Sequence, residues 1–256
     1  MKPFDYKHPM TVASHRGDWY NCYENTMYAF ESALQAGTDM IETDVRMTAD
    51  GVLVLMHDEK VIRTTGAEGQ IKEMTLAEVQ KLNAGDELHP AAVPTLEEFL
   101  AWLAPTELTV NIEIKEYWYP GNEQRCQECV DKVVALVRKY DLEDRTVLNS
   151  FDAWVLEYAD AAYDHSFKLH GFYPYAGMKN VRRNPDEYLY CACIWGCNKK
   201  KEYFDYLLER GIEPWVGASI TSEEMLTLAC RYGAKLVTTN NPADCIEKLK
   251  RIGKRA

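Results

Sequence analysis

Apolar runs of strand length alternate with amphipathic segments of helix length along the whole chain. Strands are expected over residues 10–14, 40–46, 52–57, 109–115, 145–150, 167–172, 189–194, 214–218 and 235–239. Helices are expected over 24–36, 75–82, from Thr95 onward, and over 126–139, 153–162, 201–210, 223–229 and 242–250. In the first helix Tyr28, Ala29, Ala33 and Ala36 recur at helical spacing, and Gly37 stands where a C-terminal stop belongs. Pro94 precedes Thr95, and Glu97 and Glu98 fill the following first turn. Asp50-Gly51 lies between two strand-like runs, which is a hairpin signal. Strand–helix alternation argues for parallel βα units. Nine strand candidates are one more than a closed eight-stranded barrel uses, and the hairpin supplies the surplus. The pattern therefore predicts an α/β fold, a single TIM-type (β/α)8 barrel spanning residues 1–256, with an irregular stretch over 61–88.

The 256 residues are 46% hydrophobic and 27% charged, enough apolar mass for one large core. Forty acidic against 29 basic residues leave a net charge of −11, a poor field for nucleic acid. No apolar window of about 18 residues is present, so no membrane span is expected. Residues 1–14 lack the apolar core of an export signal. The eight cysteines then read as reduced thiols of a cytoplasmic protein. Cys126-x-x-Cys129, and Cys191-x-Cys193 with Cys197, have no second C-x-x-C at zinc spacing and read as small hydrophobes.

Polar residues inside otherwise apolar strands carry the chemical signal. Glu42 and Asp44 are two apart and share one strand face; Asn111, Glu113 and Lys115 do the same, opposite Val110, Ile112 and Ile114. Parallel barrels place catalytic residues at strand C-terminal ends. Three convergent carboxylates there suit one hard divalent cation, Mg2+ or Ca2+. His15 and His57 also end strands, and two imidazoles serve as general base and general acid in one turnover. Arg16 and Lys115 are donors suited to a phosphoryl oxygen. Trp215, at a strand end, is a candidate substrate-binding aromatic. Tyr117-Trp118-Tyr119 is a candidate rim. His170 reads as structural, and Lys199-Lys200-Lys201 as a solvated face.

In chain order, His15-Arg16-Gly17, Glu24-Asn25-Thr26, Glu42-x-Asp44, Asp50-Gly51, His57-Asp58, Pro94-Thr95-Leu96-Glu97-Glu98 and Glu113-x-Lys115 resemble the glycerophosphodiester phosphodiesterase family. The resemblance is strong over residues 13–116 and fades to Ser150-Phe151, Trp215 and Thr238-Thr239-Asn240. It implies a barrel with a small insertion, about 58–93, after the second catalytic histidine. It also implies metal-dependent cleavage of a small-molecule phosphodiester to glycerol 3-phosphate and an alcohol, by attack of either a substrate hydroxyl or water. By motif position His15 and His57 are the acid/base pair, Glu42, Asp44 and Glu113 the metal ligands, and Arg16 and Lys115 the phosphate holders. Monomer and homodimer both agree with the composition.

Three positions depart from the family pattern: Tyr23 replaces Pro, Trp215-Val216-Gly217-Ala218 replaces Trp-Thr-Val-Asn, and Thr239-Asn240-Asn241-Pro242 replaces Thr-Asp-Tyr-Pro. They bear on substrate preference, not on the metal and histidine set. Competing readings are a phosphodiesterase for lysophospholipids or sugar phosphodiesters, and a barrel that binds a ligand without turnover.

Overall fold

The computed structural model describes residues 3–196 and 200–255. Eight parallel strands close a barrel: β1 (Thr11–His15), β2 (Met40–Met47), β4 (Thr109–Ile114), β5 (Thr146–Asn149), β6 (Lys168–Tyr173), β7 (Cys191–Ile194), β8 (Glu213–Val216) and β9 (Leu236–Thr239). β1 pairs with both β9 and β2, which completes the ring. The ninth strand, β3 (Leu53–Leu55), lies outside it, antiparallel to β2 with Val45 opposite Leu55. This is the hairpin the Asp-Gly signal predicted; Gly51 takes φ 79° in its turn.

The helices are α1 (Met27–Gln35), α2 (Ile62–Thr65), α3 (Leu76–Val79), α4 (Leu96–Leu103), α5 (Glu123–Lys139), α6 (Ala153–Ala162), α7 (Lys201–Glu209), α8 (Glu223–Arg231) and α9 (Pro242–Arg251). α1 starts at Met27, later than the apolar pattern implied, because Asn25 adopts φ 55° and the Thr26 hydroxyl caps the Ala29 N–H at 3.2 Å. At Thr95 a capping box forms with Glu98, as the spacing of the two residues allows.

Strand alternation sorts the apolar residues into two layers. Val110, Ile112 and Ile114 face outward and pack with Val130, Val133, Val134 and Val137 of α5 and the other helices. Ala13, Met40, Val147, Cys191, Trp215 and Leu236 fill the barrel interior. The stretch after β3 has a small core of its own, in which Val61, Ile71, Val79 and Val93 pack on Val54 and Met56. It is therefore a folded insertion carried on the β2–β3 hairpin.

Cys126 and Cys129 lie on the buried side of α5 as free thiols. Cys197 and Lys199 lie outside the described residues. Among the described residues no helix is long and apolar enough to cross a membrane.

His170 lies within β6, buried, with its Nδ1 3.1 Å from Asn111 Nδ2 and its ring against Trp215. Burial pulls its pKa from 6.5 to about 3. The unfolded chain therefore takes up this proton first, so its contribution to stability is complete above pH 6.5 and is lost progressively toward pH 3. Melting temperatures across that window are expected to fall less steeply in His170→Phe than in the wild type; parallel curves would contradict this.

Candidate active site

The barrel closure builds the site. Registers His15–Glu42 between β1 and β2, and Asp44–Glu113 between β2 and β4, bring three strand ends together with their polar faces inward. One oxygen from each of Glu42, Asp44 and Glu113 lies within 4.8 Å of the others, and all three side chains are buried. Lys115 Nζ sits 2.6 Å from Glu113 Oε1 and 3.1 Å from Asp44 Oδ1. Arg16 Nε is 3.0 Å from Asp44 Oδ2, a charge contact without hydrogen-bond alignment. Asp44 Oδ1 likewise accepts no aligned hydrogen bond, although it is fully buried.

Burial raises the Glu42 carboxyl well above the usual range, and the charges of Asp44 and Glu113 add to it. Burial also lifts Glu113, which Lys115 partly offsets. Asp44 is the exception: desolvation is overcome by Lys115, Arg16, His57 and the Asn25 hydrogen bond, which hold it below the carboxylate range. Three buried carboxylates thus face two cationic side chains, and one oxygen of Asp44 is left without an aligned donor. An all-oxygen set with surplus negative charge fits one hard divalent cation.

Both histidines flank this cluster. His15 Nδ1 donates to Asn240 Oδ1 at 2.7 Å, leaving a bare Nε2 that lies 3.8 Å from Glu42 Oε2. Burial, then the charges of Arg16 and Lys115, pull the His15 pKa to about 4. His57 enters from the hairpin: Met56 N–H donates to Asp44 O (3.1 Å), and Arg46 holds the His57 carbonyl through Nε (2.9 Å) and Nη2 (2.8 Å). His57 Nδ1 donates to Asp58 Oδ1 at 2.6 Å. Burial lowers its pKa as well, against the pull of Asp44 and Asp58.

The loop after β1 is shaped around the cluster. Arg16 takes φ 56°, and its N–H donates to Glu42 O and Glu42 Oε2. Gly17 follows at φ 82°, where a Cβ would lie 2.7 Å from the Ala29 backbone, so only glycine fits. The Glu24-Asn25-Thr26 motif divides into three tasks. Glu24 accepts from Arg16 Nη1 (3.0 Å), Asn25 Nδ2 donates to Asp44 Oδ2 (2.9 Å), and Thr26 caps α1.

The structure gathers His15, Arg16, Glu42, Asp44, His57, Glu113 and Lys115, and it does not bring Trp215 to them. Trp215 has no exposed surface, packs in the inner apolar layer against His170, and donates its indole N–H to Glu213 (3.2 Å). Its strand is parallel and its side chain points inward, so it lies beneath the site and not along its mouth. Asn240, Asn25, Arg46 and Arg63 are the residues near the chemistry that periodicity did not single out. Asn25 lay within a recognised motif and Asn240 in the fading C-terminal part of the resemblance; Arg46 acts through backbone carbonyls and the others through side chains. Tyr117 is half-buried, its hydroxyl pushed up to about 12 by burial and by Glu113.

A closed parallel barrel with polar residues at strand C-terminal ends defines the α/β-barrel class, here one with a buried cluster of three carboxylates beside His15. Residues 15–214 match the model of the glycerophosphoryl diester phosphodiesterase family, and the chain belongs to that family. A glycerophosphodiester phosphodiesterase of Caldanaerobacter subterraneus subsp. tengcongensis is 40% identical over 151 residues, 57% of this chain and 59% of that protein. The aligned part thus spans about three-fifths of that relative. A crystal structure from Silicibacter pomeroyi superposes with a TM-score of 0.83 at 23% identity, covering 98% of this chain and 96% of that one. An Oleispira antarctica phosphodiesterase, solved in complex with the product sn-glycerol-3-phosphate, gives 0.77 at 21% identity over 94% and 96%. At these identities the structural likenesses show the shared barrel fold.

Proposed function

We propose that this chain hydrolyses glycerophosphodiesters to glycerol 3-phosphate and an alcohol, with one divalent cation, Mg2+ or Ca2+, held by Glu42, Asp44 and Glu113. The observation that carries this reading is the buried triad, whose Asp44 Oδ1 accepts no aligned hydrogen bond, with His15 Nε2 3.8 Å from Glu42 and the charge of His57 acting on Asp44. When bound, the cation balances the carboxylates and polarises an oxygen of the phosphodiester.

Arg16 and Lys115 are placed to donate to non-bridging phosphoryl oxygens, which requires them to release part of their present hold on Asp44 and Glu113. His15, tied to a neutral amide, keeps an unprotonated Nε2 and takes the proton of the attacking oxygen. His57, tied to the Asp58 carboxylate, is supported as an imidazolium and returns a proton to the leaving alcohol. One P–O bond to the alcohol breaks, one P–O bond forms, and a water is consumed overall. The Caldanaerobacter relative and the product complex of the Oleispira enzyme support this substrate class. A cytoplasmic location is in keeping with the free thiols of Cys22, Cys126, Cys129, Cys191, Cys230 and Cys245.

Release of glycerol 3-phosphate from glycerophosphocholine by the purified protein tests the reading. EDTA is expected to abolish release, and added Mg2+ or Ca2+ to restore it. No release with any divalent cation would overturn the proposal.

A further inference from the structure

The insertion reaches the chemistry through Asp58, which meets His57, and through Arg63 of α2. Its Nη1 and Nη2 donate to the two Glu24 oxygens, each at 2.7 Å, in a bidentate fork. Its Nε donates to Asp58 Oδ2. Asp58 is the acceptor for His57, and Glu24 is the acceptor for Arg16, so one guanidinium joins the partner of an acid/base histidine to the partner of a phosphate-holding arginine. The chain of contacts runs His57, Asp58, Arg63, Glu24, Arg16, Asp44. Every link in it is charge-assisted.

These links join two segments far apart in the chain. Glu24 belongs to the β1–α1 loop, whereas Asp58 and Arg63 lie at the start of the insertion that follows β3. Among the described residues no second cation bridges the two acids: Glu24 is buried against Arg16 and Arg63, and Asp58 meets Arg63 and His57. Hydrogen bonds to Arg63 help keep both acids ionised, against burial. A lysine could not reproduce the arrangement, because an ammonium presents no planar fork.

We propose that Arg63 is a positioning residue that fixes the aim of His57 through Asp58 and of Arg16 through Glu24, making the insertion part of the reaction machinery. This deepens the phosphodiesterase reading and rests on it. With the outer partner removed, His57 keeps its place in the chain but loses its fixed ring orientation.

The test uses the full chain with Arg63→Ala, Arg63→Lys and, as a control in the same insertion, Lys72→Ala, whose exposed side chain pairs with Glu59 and with none of the network's side chains. Arg63→Ala is expected to lower kcat about 10–100-fold with KM changed less than about threefold. Guanidinium at millimolar concentration is expected to recover much of the loss, since the half-exposed Arg63 position is open to solvent. Arg63→Lys should stay low, and Lys72→Ala should match the wild type. A second readout does not depend on turnover: the downfield Nδ1 proton of His57, assigned by its absence in His57→Gln, should be lost or broadened in Arg63→Ala. Wild-type kcat in Arg63→Ala, loss without guanidinium recovery, or an unchanged His57 proton would each overturn the proposal. If the wild type releases no glycerol 3-phosphate, the activity reading fails instead, and the His57 proton alone decides the role of Arg63.

Discussion

Alanine at His15 or at His57 lowers kcat by about 10²–10⁴-fold, the range of a positioned acid or base, and leaves divalent-cation affinity nearly unchanged. Each imidazole lies beside the carboxylate triad without belonging to it. His15 Nδ1 is engaged by Asn240, and His57 Nδ1 by Asp58, so each ring is oriented from its far side. Neither ring is fully buried, and deleting either leaves the strand registers that set the triad intact. If both histidines act in the same bond exchange, the double variant loses little more than the worse single one. Single-turnover kinetics together with calorimetric titration of Mg2+ or Ca2+ check this. Equal loss of cation binding in the histidine variants would refute the division of roles.

Asp44→Asn is expected to weaken cation binding by about 100-fold or more and to reduce turnover with it. Asp44 is the hub of the cluster: it touches Lys115 and Arg16, accepts from Asn25, and is the one ligand held firmly ionised by its surroundings. Glu42→Ala should also weaken both properties, because its carboxyl is one of the three convergent oxygens. Titration of cation into the purified protein reads the first effect without any substrate. Affinity equal to wild type in Asp44→Asn would remove this residue from the ligand set, and with it the reason for three buried acids at one spot.

Most of the barrel was legible in the chain, for a definite reason. A β/α unit needs one apolar strand and one amphipathic helix, and both patterns are local. α6 coincides with the helix expected over 153–162, and the hairpin announced by Asp50-Gly51 is the extra strand outside the ring. Boundaries moved where a local conformation overrode periodicity, as at Asn25, whose positive φ delays α1. The same pleat that sends Val110, Ile112 and Ile114 to the helices sends Asn111, Glu113 and Lys115 inward, so alternation alone identified the polar face.

Trp215 marks where that reasoning stopped. A strand-end aromatic reads alike whether it lines a mouth or fills a barrel; its complete burial and its contact with His170 settled it as filling. The partners of Asn240 and Arg63 were invisible for a related reason. Asn240 is 225 positions from His15, and Arg63 is 39 from Glu24, and nothing in either local pattern marks a partner so far away.

By itself the sequence determined the parallel α/β class, the hairpin, and which strand residues share a face, because period and turn chemistry are properties of neighbouring residues. Only closure of the barrel decided that β1, β2 and β4 meet, that Lys115 and Arg16 each face one oxygen of Asp44, and that the insertion lays Arg63 across Asp58 and Glu24. Those are distances between segments far apart in the chain, and they exist only once the strands have paired.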